Sequence, residues 1–131
     1  MNMTDTKTLK YAKSHEWLRL DGNRGTVGIT DFAQKEIRDI VYLELPKVGK
    51  ELTQGGQAGM IESVKAAFEI YAPVSGRVVA VNEKVAQDVT LVHKDPYDQG
   101  WLFQIEIKNP AEANNLLTED QYNKITTNGG H

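Results

Sequence analysis

One lysine in this chain stands where an acyl group could be attached. In the run Gly59-Met60-Ile61-Glu62-Ser63-Val64-Lys65-Ala66-Ala67, followed by Ala72-Pro73-Val74-Ser75-Gly76, Lys65 falls at a bend between two apolar-patterned stretches. A primary amine displayed at a bend can enter another enzyme's active site and attack an activated acyl group, which a buried amine cannot do. Lysine amines in water are protonated at neutral pH, so the acylating enzyme must strip the proton, and the amide formed removes a positive charge. Spacing alone leaves two backbones open. Met60, Val64, Ala67, Phe68 and Tyr71 recur at helical intervals, and alanine, glutamate and lysine favour helix. Against a helix, Gly55, Gly56 and Gly59 crowd the entry and Pro73 closes the exit. Alternation fits a hairpin, with Met60, Glu62 and Val64 sharing one parity that Phe68, Ile70 and Ala72 resume after the bend.

Composition narrows the chemistry. The 131 residues, 40% of them hydrophobic, suffice for one domain with a modest core. With 15 basic against 18 acidic residues, a net charge of −3 and no basic cluster, nucleic acid is not an expected partner. No apolar run approaches the roughly 18 to 20 residues that cross a bilayer, and the first residues carry neither a signal-peptide core nor an arginine-rich transit pattern, so the expectation is a cytoplasmic protein without a membrane partner. Zero cysteines exclude disulfides, thiolate nucleophiles and thiolate metal ligands, so any thiol chemistry must be imported. Three scattered histidines offer poor material for an autonomous enzyme.

The elements around the lysine read as mainly β. Leu18 to Ile29, interrupted by Asp21-Gly22-Asn23, reads as a tight hairpin. A short helix follows, with Asp31 as its expected cap, Gln34 three residues on, and Ala33 and Ile37 one turn apart. Ile40 to Leu45 alternates as a strand ended by Pro46, and a glycine-rich loop runs over residues 48–56. Arg77 to Val81 is a β-branched strand ending at Asn82; Gly76-Arg77-Val78 echoes Gly25-Thr26-Val27 too weakly to mark a repeat. Asp95 to Gly100 is turn-rich and precedes a strand within Trp101 to Ile107. Asn109-Pro110-Ala111-Glu112 carries a cap, a proline at the first helical position and a glutamate at the third, with Leu116 and Leu117 facing the core. Thr118 with Gln121 caps a last helix bearing Tyr122 and Ile125, and residues 128–131 form a frayed end.

The run Ile61 to Ala66 resembles the lipoylation motif of the glycine cleavage system H proteins, with Lys65 in the place of the modified lysine. Tyr11 to Trp17 (YAKSHEW), Gly25 to Ala33 (GTVGITDFA), Asp39 to Pro46 (DIVYLELP) and Asp95 to Phe103 (DPYDQGWLF) resemble further signature segments of that family, in the same order. The resemblance implies a lipoyl-type barrel-sandwich hybrid of antiparallel sheets, with short helices and a C-terminal helical segment. It implies a carrier domain over residues 9–126, an attachment hairpin around residues 60–72, and flexible ends at 1–8 and 127–131. It also implies lipoate covalently bound to Lys65, with Glu62, Ser63, Val64 and Ala66 completing the attachment motif.

What the resemblance implies about function is a monomeric, non-catalytic carrier. It takes the aminomethyl group from glycine decarboxylase, a pyridoxal phosphate enzyme, to a tetrahydrofolate-dependent aminomethyltransferase, and presents its dithiol to dihydrolipoamide dehydrogenase. Lipoylating enzymes are further partners. The same resemblance points to Ser14, Glu16 and Glu69 as a polar cleft that receives the loaded arm, with Glu16 binding the protonated amine; otherwise Glu16 and Glu69 are ordinary solvated carboxylates. His15 reads as a packing or hydrogen-bonding residue rather than a catalyst, and Tyr97 and Trp101 as core rather than cofactor contacts. Two departures from the family pattern touch the docking surface: Phe68 stands where a small polar residue is common, and residues 85–93 (VAQDVTLVH) differ from the usual proline-containing loop. An H-like relay of lipoyl or octanoyl groups to other acceptors is the alternative function. A biotin carrier or acyltransferase lipoyl domain is disfavoured, since Met-Lys-Met and Asp-Lys-Ala are absent.

Overall fold

The computed structural model describes residues 8–127. Of the expected flexible ends, residues 1–7 and 128–131 lie outside the described residues. The elements follow in the order β1 (Lys10–Tyr11), β2 (Glu16–Asp21), β3 (Arg24–Ile29), α1 (Asp31–Ile37), β4 (Ile40–Glu44), β5 (Glu51–Leu52), β6 (Gln57–Ser63), β7 (Ala67–Tyr71), β8 (Gly76–Val81), α2 (Glu83–Gln87), α3 (Thr90–Lys94) and β9 (Phe103–Ile107), then a 3₁₀ helix (Pro110–Asn115) and α4 (Glu119–Thr127). They build two antiparallel sheets: six strands in the order β1-β2-β3-β9-β8-β5, and three in the order β4-β6-β7. This is the mainly β sandwich with marginal helices that the sequence implied. None of the described helices is long and apolar enough to cross a membrane.

The sheets face each other across one core, in which Leu18, Val27, Ile61, Ile70, Val78, Phe103 and Ile105 are buried. A second cluster of Leu9, Tyr11, Trp17 and Tyr122 seals the outer side of β1 and β2 under α4, with Tyr97 and Trp101 packed against it. Trp17 is fully buried and donates its indole N–H to the Pro96 carbonyl at 3.0 Å, so its polar atom is satisfied. The β2–β3 hairpin turns through Gly22 at φ 63, the left-handed conformation glycine adopts without a Cβ clash. The paired glycine-led strands flank a common neighbour: β3 and β8 both pair with β9.

Several local expectations are corrected. Thr30, not Asp31, caps α1, accepting the Ala33 N–H at 3.1 Å, while Asp31 occupies the first turn and pairs with Gln34 and Lys35. A bulge between Ile40 and Tyr42 breaks the alternation of β4, so both Val41 and Tyr42 face solvent while Ile40 and Leu43 are buried. In the β6–β7 hairpin the parity changes across the tip: Ile61 lies opposite Phe68 and Glu62 opposite Ala67, so Ile61 and Ser63 point inward, and Met60 and Val64 do not. The 85–93 stretch is not a loop but parts of α2 and α3, anchored by buried Val85 and Val92. Glu112 does not close a capping box; its carboxylate accepts the Ser75 N–H at 2.7 Å and the Ser75 hydroxyl at 3.0 Å, pinning the 3₁₀ helix to the start of β8. Thr118 and Gln121 do form the reciprocal cap of α4.

Strand β6 lies close to β4 because Gly59 has no side chain. A Cβ there would stand 2.3 Å from the Glu44 carbonyl oxygen, a backbone atom with no flexible end to give. Gly59→Ala should therefore force β4 and β6 apart and cost about 1–3 kcal/mol, read as a lower urea midpoint with an unchanged slope.

Candidate functional site

The bend predicted at Lys65 is the tip of the β6–β7 hairpin. Its geometry is set by one hydroxyl. Ser63 Oγ accepts the Lys65 N–H at 3.3 Å and the Ala66 N–H at 3.2 Å, and donates to the Ala66 carbonyl at 3.1 Å. The Ser63 amide donates to the same Ala66 carbonyl at 2.8 Å. The Val64 amide reaches outside the hairpin to the Asp39 carbonyl at 3.1 Å. Asp39 is delivered by Arg38, which ends α1 at φ 61, a conformation disfavoured for a residue with a Cβ. Every backbone donor from Ser63 to Ala66 is thus occupied. The Lys65 side chain is left exposed, as are Glu62, Val64 and Ala66.

A cleft of about 540 Å³ opens beside the tip, lined from one sheet by Ala67, Phe68 and Glu69 of β7 and from the other by Ser14, His15 and Glu16 at the start of β2. Phe32, Glu36 and Ile37 of α1 close its third side. Phe68 is half-buried, at once packed on the core and lining the cleft. The structure thus brings Ser14, Glu16 and Glu69 into one cavity.

Glu16 is not a solvated carboxylate: it is 1% exposed. Its carboxyl is hydrogen-bonded by the Ser14 hydroxyl and, across the gap between sheets, by the Tyr71 amide at 2.8 Å. Burial outweighs these two bonds and pushes its pKa up to about 7. Glu69 is exposed, and its interaction with the Tyr71 hydroxyl holds that phenol's pKa up. His15 faces the cleft with its pKa lowered by burial, partly offset by the charge of Glu36. A cavity with one buried and two exposed carboxyl groups between aromatic walls suits a small cationic group on an apolar arm. Among the described residues, no cluster of His, Cys, Asp or Glu is placed to hold a metal ion.

Sequence reasoning missed the Asp39 carbonyl, the Tyr71 amide and Phe32. The first two act through backbone atoms, which no residue type advertises, and Phe32 comes from a helix whose packing only the fold reveals.

Two measurements test this geometry. Ser63→Ala should lower stability by about 1 kcal/mol and speed amide exchange at Lys65 and Ala66, whose donors then turn to water. For Glu16, a folded pKa near 7 against an ordinary 4.5 means that folding takes up a proton between those values. Its contribution is fully present below about pH 4.5 and is lost as pH rises through about 7, a difference on the order of 3 kcal/mol. Glu16→Gln should remove that component, so the stability of the variant relative to the parent rises between pH 4.5 and 7 and levels off above.

The family model for the glycine cleavage H-protein matches residues 9–129. A glycine cleavage system H protein of Carboxydothermus hydrogenoformans is 52% identical over 124 residues, covering 95% of each chain. The mitochondrial glycine cleavage system H protein 2 of Arabidopsis thaliana is 50% identical over 119 residues, covering 91% of this chain and 76% of its own. The crystal structure of a glycine cleavage system H protein from Mycobacterium marinum superposes with a TM-score of 0.80 at 31% identity, covering 94% of this chain and 98% of that one. With the lysine-tipped hairpin and its cleft in place, these matches show that the chain belongs to the glycine cleavage H-protein family.

Proposed function

We propose that Lys65 carries a single covalent lipoyl group and that the cleft lined by Ser14, Glu16 and Glu69 receives the loaded arm, in a carrier working in the cytoplasm. As a member of its family the chain is a non-catalytic carrier of glycine cleavage, serving glycine decarboxylase, the aminomethyltransferase and dihydrolipoamide dehydrogenase in turn. When bound, the lipoyl group supplies a disulfide sulfur that accepts the aminomethyl unit and a dithiol that is later reoxidised. The observation that carries the reading is the tip itself: a fixed backbone, a free lysine side chain, and a cleft that begins two residues away at Ala67.

The chain's own residues divide the work. Ser63 and the Asp39 carbonyl hold the peptide of Lys65 still, so partners meet the same presentation of the amine each time. Phe32, Phe68 and Ile37 offer apolar walls that limit water at a hydrolysable adduct. Glu16 meets the cation. With its carboxyl near half-protonated at neutral pH, an ammonium brought alongside favours the ionised form, so docking releases a proton from Glu16 to solvent. Glu69 and Glu36 add negative potential at the mouth without being buried. The absence of cysteine leaves no protein thiol to attack the carried disulfide and form a mixed disulfide with it.

Lys65→Arg tests the proposal. Charge and fold should persist, while enzymatic lipoylation and support of the exchange between the glycine carboxyl carbon and bicarbonate by glycine decarboxylase should both be lost. Lipoyl labelling retained by the variant would move the attachment site elsewhere.

A further inference from the structure

The C-terminal helix is tied to the cleft through one side chain. Tyr122 of α4 is buried, with its ring stacked on Tyr11 at 4.8 Å and 11°. Its hydroxyl lies 2.7 Å from Thr30 Oγ1 and 2.7 Å from His15 Nδ1. Thr30 Oγ1 also accepts the Ala33 N–H, so the three groups form a one-way chain. Either Thr30 donates to Tyr122 and Tyr122 to His15, or His15 donates to Tyr122 and Tyr122 to Thr30. Only the first direction gives the Thr30 hydroxyl hydrogen an acceptor among these groups.

His15 is the member that needs holding. Its φ of 81 is a conformation that residues with a Cβ rarely adopt, and it stands between the two residues whose side chains meet at the cleft floor, Ser14 and Glu16. The His15 amide donates to the Ala12 carbonyl at 2.9 Å, and its carbonyl accepts the Thr30 N–H at 3.0 Å. Its imidazole leans on Phe32 at 5.0 Å, on the helix that forms the cleft's third side. The turn at His15 thereby aims Ser14 toward the Glu16 carboxyl and the Glu16 carboxyl toward the Tyr71 amide.

We infer that Tyr122 is a positioning residue for the arm cleft: its hydroxyl, carried on the C-terminal helix, fixes the left-handed turn at His15 and so sets the carboxyl of Glu16. The inference rests on the cleft reading given above for its functional consequence, though not for its geometry. Tyr122→Phe keeps the stacked ring and deletes only the hydroxyl.

In the full-length apo protein, Tyr122→Phe should speed exchange of the Tyr71 and Thr30 amides by about tenfold while leaving the Lys65 and Ala66 amides at the tip unchanged. In the lipoylated protein loaded with the aminomethyl group, hydrolysis should quicken by about tenfold, and adding Glu16→Gln should bring little more, because both changes act on one carboxyl. Glycine takes a positive φ unaided, so in a His15→Gly background Tyr122→Phe should alter Tyr71 exchange by less than about twofold. Unchanged Tyr71 protection in Tyr122→Phe, or a full effect persisting without the His15 side chain, overturns the inference. If Tyr122→Phe does not fold, His15→Phe, which removes the nitrogen that the Tyr122 hydroxyl meets and leaves the Thr30 cap of α1 intact, is read in the same way. Faster Tyr71 exchange with no change in the loaded arm's lifetime on Glu16→Gln would sink the cleft reading and leave the positioning role standing.

Discussion

The hydroxyl of Ser63 is the interaction on which the site depends. A carrier lysine has two opposed requirements: its backbone must be fixed, so that several enzymes can recognise one shape, and its side chain must stay free. Secondary structure meets the first only up to the last ladder bond of a hairpin. Beyond it, the amides of a tip are normally left to water. Here one inward-pointing serine accepts two of those amides and donates to a carbonyl, and a neighbouring strand's approach supplies the third partner through Asp39. These bonds tie down the backbone of the tip and leave the Lys65 side chain exposed.

The second constraint is the buried carboxyl that spans the two sheets. Glu16 begins β2 in the larger sheet, yet its carboxyl is held by an amide of β7 in the smaller. An apolar residue there would pack more cheaply. A carboxyl so desolvated sits near the middle of its titration at neutral pH, where an approaching cation has the greatest leverage on its charge. The strain at His15 and Arg38 belongs to the same design. The only two non-glycine residues at positive φ among those described stand immediately before Glu16 and Asp39, the residues that define the cleft floor and buttress the tip. Backbone strain is concentrated where position matters.

Much of this was legible in the chain. The Lys65 motif, the β2–β3 hairpin and the Thr118–Gln121 cap are local patterns, and local chemistry decided each of them. Even so, spacing left Lys65 between a helix and a hairpin; the family resemblance favoured the hairpin, which the structure bears out. What was illegible was non-local. The Asp31 cap failed because Thr30, one residue earlier, has a hydroxyl whose geometry suits the Ala33 amide and is further held by Tyr122 from far along the chain. The alternation of β4 failed because a bulge is a property of pairing, visible only once β6 lies alongside. The Glu112 carboxylate abandoned its own helix for Ser75, a choice that depends on how β8 begins. Residues 85–93 lie mostly in helices because Asn82 caps α2 through the Lys84 amide and because Val85 and Val92 found a core that no short window of sequence discloses.

The central claim is that the amine of Lys65 bears the lipoyl group. Intact-mass measurement and peptide mapping of the protein from its native host, grown with ample lipoate, test it most directly. The account requires a mass gain of one lipoyl group, located on the peptide containing Lys65. A mass equal to the sum of the residues, or the group found on any other lysine, would contradict it.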